Sequence, residues 1–173
     1  MDSCSRDGQA NRPDRRPVNV VLRDVRDGDL AIFFEQQLDP AANRMAAFTQ
    51  RDPTDRDAFA AHWAKIQVDD SVTIRTIVFD ERVAGNVASF EHLGKPEVCY
   101  WVGRDYWGKG IASAALSQFL SEIKVRPLYA GVAKDNLASI RVLEKCGFSV
   151  VGLQRSFAKI RGEEIDEMVM KLE

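Results

Sequence analysis

The chain has 173 residues, 45% of them hydrophobic and 29% charged, which suits one domain of ordinary size with a real core. Its 24 basic and 26 acidic side chains leave a formal charge of -2, so there is no footprint for nucleic acid, which needs a strongly basic face. Two histidines and three scattered cysteines (Cys4, Cys99 and Cys146) argue against a metal site or a disulfide framework and for free thiols in a reducing cytosol.

The opening MDSCSRDGQANRPDRRP is polar, charged and without an apolar centre. It reads as a disordered tail over residues 1–17 and not as a secretory leader. No apolar run reaches the roughly 18 to 20 residues that span a bilayer, so the expected location is cytoplasmic, with no membrane partner. Order begins at VNVVLRDV, where Val20 and Leu22 recur at period two as in a half-buried strand. DGDLAIFFEQQLD then places Leu30, Phe33, Phe34 and Leu38 at helical spacing behind Asp27 as N-cap. A second helix follows DPTDRDAF, capped by Asp52 or Thr54, with Phe59, Trp63 and Ile66 on one face.

The period then changes to two. SVTIRTIVFD, VAGNVASFEHL and EVCYWVG read as an antiparallel meander joined by turns at DERV and LGKP. From Lys109, the residues Ile111, Ala112, Ala115, Leu116, Phe119, Leu120 and Ile123 trace the apolar face of a helix that ends near Lys124, ahead of Pro127. PLYAGVAKD is a buried strand. NLASIRVLEKCGF is a short helix capped by Asn136 and stopped by Gly147. FSVVGLQRSF and EEIDEMVMKLE form a last pair of strands across the KIRGE turn. One strand–helix–strand crossover in a mainly antiparallel sheet gives an α+β (mixed α/β) class over residues 18–173, without a second domain boundary.

The turn before the long helix carries the first chemistry. A helix N-terminus offers unpaired backbone N–H groups and the positive end of the helix dipole, and phosphate oxygens bind there where the backbone can be approached closely. Gly108 and Gly110 remove two side chains from that turn, and Lys109 adds a positive charge. Alone, such a Gly-x-Gly equally suits a flexible turn. It lacks the Gly-Lys-Ser/Thr ending of a Walker loop, and it lacks the third glycine and parallel context of a dinucleotide fingerprint.

A second segment makes the pattern specific. VGRDYWGKGIASAAL, followed by Asn-x-x-Ser-x-x-x-x-Glu-Lys-x-Gly-Phe from Asn136, resembles the GNAT N-acetyltransferase superfamily. The Tyr-Trp-Gly-Lys-Gly-x-Ala form resembles its ribosomal-protein N-terminal acetyltransferase branch, the RimJ/RimL-like proteins. The resemblance implies the GNAT acyl-CoA N-acyltransferase fold, a mainly antiparallel central sheet with splayed strands 4 and 5, flanked by helices. It also implies acetyl-CoA as acyl donor, no metal, and a primary amine as acceptor, either a protein N-terminus or a small molecule, in a monomer or homodimer.

The family's phosphate motif, Gln/Arg-x-x-Gly-x-Gly/Ala, falls on Trp107, Gly110 and Ala112, with Trp107 the departure. By resemblance, the backbone of Trp107, Gly108, Lys109, Gly110, Ile111, Ala112 and Ser113 holds the pyrophosphate. Trp101, Val102 and Gly103 pair with the pantetheine arm. Asn136 bonds the cofactor or simply caps its helix.

Acetyl transfer needs a proton acceptor for the amine, a donor for the oxyanion and a donor for the leaving thiolate. Family members often use a tyrosine acid where this chain has Leu143, so Ser139 is the expected substitute, with local backbone bonding as its plainer role. Some members place a base glutamate where this chain has Gly131. The remaining candidates are Glu91 and His92 at one strand end, Glu97 at the next strand's start, and Asp166 or Glu167 near the C-terminus; each also reads as a solvated strand-end charge. A water-mediated route needs no base. Leu143 and Gly131 favour an alternative, a non-catalytic acyl-CoA-binding or sensing module. Phe33, Phe34, Phe59 and Trp63 are expected in the core or in the wall of an acceptor cleft.

Overall fold

In the computed structural model, residues 18–173 are described; the expected tail over residues 1–17 lies outside them. Seven strands, β1 (Val20–Arg23), β2 (Thr73–Phe79), β3 (Arg82–His92), β4 (Lys95–Val102), β5 (Leu128–Ala133), β6 (Ser149–Ala158) and β7 (Glu163–Leu172), form one sheet in the order β1-β2-β3-β4-β5-β7-β6. The DERV and LGKP turns make the meander. Asp80 and Glu81, then Leu93 and Gly94, take positive φ, and the flanking residues pair as Phe79 with Arg82 and His92 with Lys95. Two-residue turns of that hand match the twist of the strands they join.

Neighbouring strands are antiparallel except β4 and β5, which run parallel and share a single registered pair, Glu97 with Tyr129. Beyond that pair the two strands part, as expected for strands 4 and 5. The result is a slot through the sheet, edged by Cys99 to Val102 on one side and Gly131 to Ala133 on the other.

Among the described residues, five α-helices flank the sheet: α1 (Asp27–Gln37), α2 (Pro40–Ala46), α3 (Arg56–Gln67), α4 (Ile111–Glu122) and α5 (Leu137–Lys145). The sequence reading differs at three points. Arg26, not Asp27, is the N-cap of α1, and the Arg26 N–H is taken by Asp29 in the first turn (2.9 Å). The segment after α1 forms a helix of its own, α2, because Asp39 accepts from the Ala42 N–H (2.8 Å) and Pro40 opens it with a fixed φ. Asp55, not Asp52 or Thr54, caps α3. Asp52 instead closes a local turn on the N–H and hydroxyl of Thr54.

Two cores hold the sheet. On one face Phe119, Leu116 and Ile111 of α4 and Leu143 of α5 pack on Ile77, Val87, Leu128 and Met170. Each of these large side chains contributes roughly 1.5 to 3 kcal/mol through burial. On the other face, Phe33 stacks on Trp63 at 5.0 Å, and Phe34 meets Phe59 edge-on at 5.2 Å. Asp29 anchors α1 to the sheet by bonds from Arg23 and from the buried Thr76 hydroxyl (2.7 Å). Burial works against the charged carboxylate there, but the bonds from Arg23, the Arg26 N–H and Thr76 outweigh it and hold its pKa at about 2.

Candidate active site

A cavity of about 730 Å³ lies over the start of α4 and beside α5. Gly110 is the N-cap of α4, at φ +80, and no side chain caps the helix. The first intrahelical bond runs from the Ala114 N–H to the Gly110 carbonyl (3.1 Å). The amides of Ile111, Ala112 and Ser113 therefore face the cavity without intrahelical partners.

The glycines matter for a different reason than crowding. An added Cβ at Gly108 would meet nothing within 4 Å, and one at Gly110 would meet only Val18 at 3.4 Å. Both residues hold positive φ, which side chains disfavour, so it is backbone direction that selects glycine. Trp107 fastens this turn to β4 by donating from its indole N–H to the Val102 carbonyl (2.8 Å).

Three cations border the cavity: Lys109, Arg141 and Lys145. Arg141 and Lys145 were missed from sequence; the available signal was their i,i+4 spacing on α5, which puts them on one face. Trp101 and Val102 line the cavity from β4. Gly103 does not share that place. Its N–H donates to the Ala84 carbonyl (2.8 Å), its carbonyl accepts from the Tyr106 N–H (2.9 Å), and the Gln36 side chain packs against its Cα. Both backbone groups are already engaged.

A second cavity, of about 440 Å³, lies under α1 and α3 and reaches into the slot between β4 and β5. The two cavities share Tyr100, Trp101, Asn136, Ser139 and Ala46, so they meet through the parted strands. Asn136 does cap α5: its Oδ1 accepts from the Ser139 N–H (3.1 Å), and its Nδ2 donates to the Met45 carbonyl (3.2 Å), tying α5 to α2. The indole N–H of Trp101 is buried and has no partner among the described residues.

At the meeting point the hydroxyls of Tyr100 and Ser139 lie 2.6 Å apart. Burial pushes the Tyr100 phenol up to about 12, even though the bond to Ser139 acts in the opposite direction. Tyr100 was also missed from sequence. Its only signal was parity: it shares a strand face with Val98 and Val102, and a phenol among core valines needs a partner.

Glu91 and His92 close β3 opposite Pro96 and Lys95, are exposed, and line neither cavity. Glu97 stands at the last contact between β4 and β5. Burial raises its pKa, and the Glu167 charge adds to that against His92 and Lys95. Cys99 opens onto the second cavity, but its surroundings and the Glu97 charge push its thiol up to about 11, too high for a thiolate nucleophile near neutral pH. Asp166 pairs with Lys134 at 3.1 Å.

The described residues lining the second cavity include no Asp, Glu, Lys or Arg. Phe33, Phe59 and Trp63 serve as core and cavity wall at once, Phe48 adds a partly exposed ring, and Phe34 is core alone. His62, held below its ordinary pKa by burial and by Lys65, adds no charge near neutral pH.

Comparison with known proteins gives a consistent set of similarities. The family model described as the acetyltransferase (GNAT) domain matches residues 19–149. The uncharacterized N-acetyltransferase p20 of Bacillus licheniformis is 32% identical over 83 residues, 46% of this chain and 47% of that protein. The probable N-acetyltransferase YjcK of Bacillus subtilis is 34% identical over 101 residues, 54% of this chain and 56% of that one. The chain thus spans about half the length of the curated relatives it matches.

Among solved structures, the spermidine N-acetyltransferase of Vibrio cholerae, in complex with CoA and spermine, superposes with a TM-score of 0.76 at 20% identity, over 88% of this chain and 94% of that one. Mycobacterium smegmatis RimJ, in complex with CoA-disulfide, gives 0.74 at 23% identity, over 88% and 81%. At such identities the likeness speaks for the fold alone.

Proposed function

The chain belongs to the GNAT acetyltransferase family, and we propose that it transfers the acetyl group of acetyl-CoA to a primary amine. The chief support is that two cavities meet through the slot between β4 and β5, with the Tyr100 phenol at the meeting point. A donor and an acceptor entering from opposite sides would be brought together there.

Acetyl-CoA supplies a thioester carbonyl and a thiolate leaving group. The amides of Ile111, Ala112 and Ser113 suit its pyrophosphate, and Lys109, Arg141 and Lys145 suit its remaining phosphate charge. Trp101 and Val102 line the path of the pantetheine arm along a strand that has lost its neighbour, with the Val102 carbonyl already held by the Trp107 indole. A phenol with a pKa of about 12 keeps its proton at neutral pH, so Tyr100 donates a hydrogen bond to the leaving sulfur. Ser139, expected as the acid itself, becomes the residue that orients Tyr100.

The uncharged, aromatic lining of the second cavity favours a primary amine carried on an apolar body. A peptide N-terminus, the kind of acceptor the resemblance to the RimJ/RimL-like branch implies, shares that chemistry with an arylalkyl amine where its first residue is apolar. A polyamine does not, because its further positive charges find no carboxylate among the described lining residues.

Leu143, at the position of the usual acid, favours the alternative of a non-catalytic acyl-CoA-binding module. Release of free thiol from acetyl-CoA over peptides, arylalkyl amines and polyamines separates the two readings. Turnover with apolar-bodied amines is the expected result. Tight acetyl-CoA binding with no turnover on any amine would establish the module instead.

A further inference from the structure

Gly131 is exposed in the middle of β5, between neighbours that are buried. A glycine inside a strand weakens it and commonly marks a place where another group comes close. Here the group is a carboxylate. A Cβ on residue 131 would stand 2.1 Å from Oε1 of Glu167 and 3.3 Å from its Cδ.

Glu167 belongs to β7, where it pairs with Ala133, and Gly131 pairs with Val169. Residues directly opposed across two strands share a face, so Glu167 reaches diagonally over Gly131 from the neighbouring strand. Its two oxygens have different surroundings. Oε2 accepts from Gln154 Nε2 (2.9 Å) and from the Ser156 hydroxyl, both on β6. Oε1 takes no hydrogen bond among the described residues and rests over Gly131, which lines the second cavity. Two strand residues thus hold the carboxylate by one oxygen and leave the other at the cavity edge.

We propose that Glu167 is the general base for the acceptor amine, reaching the slot from β7 because residue 131 has no side chain. This inference rests on the reading of the chain as an N-acetyltransferase. Starting from the ammonium form, Oε1 takes one proton and passes it to solvent. The freed nitrogen lone pair forms the N–C bond to the acyl carbon, and the C–S bond breaks with its electron pair leaving on sulfur. The second nitrogen proton ends on that sulfur, giving the amide and the free thiol. Glu97 is the nearby rival, but it sits where β4 and β5 still pair, outside the stretch where the two strands part.

The test compares wild type, E167Q, E167A, G131A and the double variant G131D/E167A, with acetyl-CoA and a primary amine that the wild type accepts. E167Q should lower kcat by about 10²- to 10⁴-fold while acetyl-CoA affinity and melting temperature stay put. G131A should lower kcat comparably with Glu167 intact, because the new Cβ evicts the carboxylate. G131D/E167A, which returns a carboxylate to the same space from β5, should recover at least tenfold over E167A. Wild-type kcat in both E167Q and G131A would overturn the assignment of Glu167 and leave the acetyltransferase reading standing. A wild type that binds acetyl-CoA and turns over no amine would overturn that reading, and the base with it.

Discussion

The two cavities that meet at Tyr100 are built in opposite ways. The one over α4 takes much of its lining from a single continuous stretch, Trp107 to Ser113, which presents the unpaired backbone amides of the helix start. The one under α1 and α3 is assembled from side chains of α1, α3, β4 and β5, which lie far apart in sequence. A site made of backbone at a helix start tolerates substitution around it as long as the glycines keep their φ. A site made of distant side chains changes character with each of them. On this account the first cavity keeps the donor constant and the second sets the acceptor.

Substitutions that strike one cavity and spare the other test that division. The largest effect is expected from G110W, which puts a bulky ring at the mouth of the amide cradle and forces a side chain onto φ +80. Acetyl-CoA binding should be lost in calorimetry. The backbone strain, about 1 to 2 kcal/mol, is small against the stability of an ordinary domain, so the chain should remain folded. Undiminished affinity would remove the cradle from the account.

Next comes Y100F, which strikes the junction. It deletes the hydroxyl bonded to Ser139, and kcat should fall about 10²-fold with both KM values little changed, whereas S139A should fall only about tenfold. Equal losses in the two variants would return the donor role to Ser139.

The joint variant R141A/K145A should weaken acetyl-CoA about tenfold. That loss should shrink as salt is added, because these cations act on phosphate across solvent. The smallest effect is expected from F48A. Phe48 is 37% exposed, so its loss removes a cavity wall and little core. KM for an apolar-bodied amine should rise about fivefold while acetyl-CoA affinity stays constant. An equal shift in both constants would mean that the two cavities are not independent.

The same contrast explains what could be read from the sequence. The order of strands and helices, the hairpin turns and the Gly108–Ser113 turn were legible, because each depends on neighbours within a few positions. Helix α2 escaped notice although Asp39 and Pro40 announce it, since seven residues offer little periodicity. Tyr100 was opaque, and Glu167 could not be told from the other candidate bases, for a deeper reason. Tyr100 acquires meaning only when α5 brings Ser139 to it, and Glu167 only when β7 inserts beside β5 with Gly131 opposite Val169. No spacing within either strand carries that information. Gly131 looked like a missing base when read alone, and in the fold it makes room for a carboxylate from the next strand.

The most direct test of the central claim is a crystal structure of the protein with coenzyme A bound. The account predicts the diphosphate within hydrogen-bond distance of the Ile111, Ala112 and Ser113 amides, the arm threaded between β4 and β5, and the sulfur beside the Tyr100 hydroxyl. A diphosphate seated elsewhere, or an arm that stays on one side of an unbroken sheet, would contradict it.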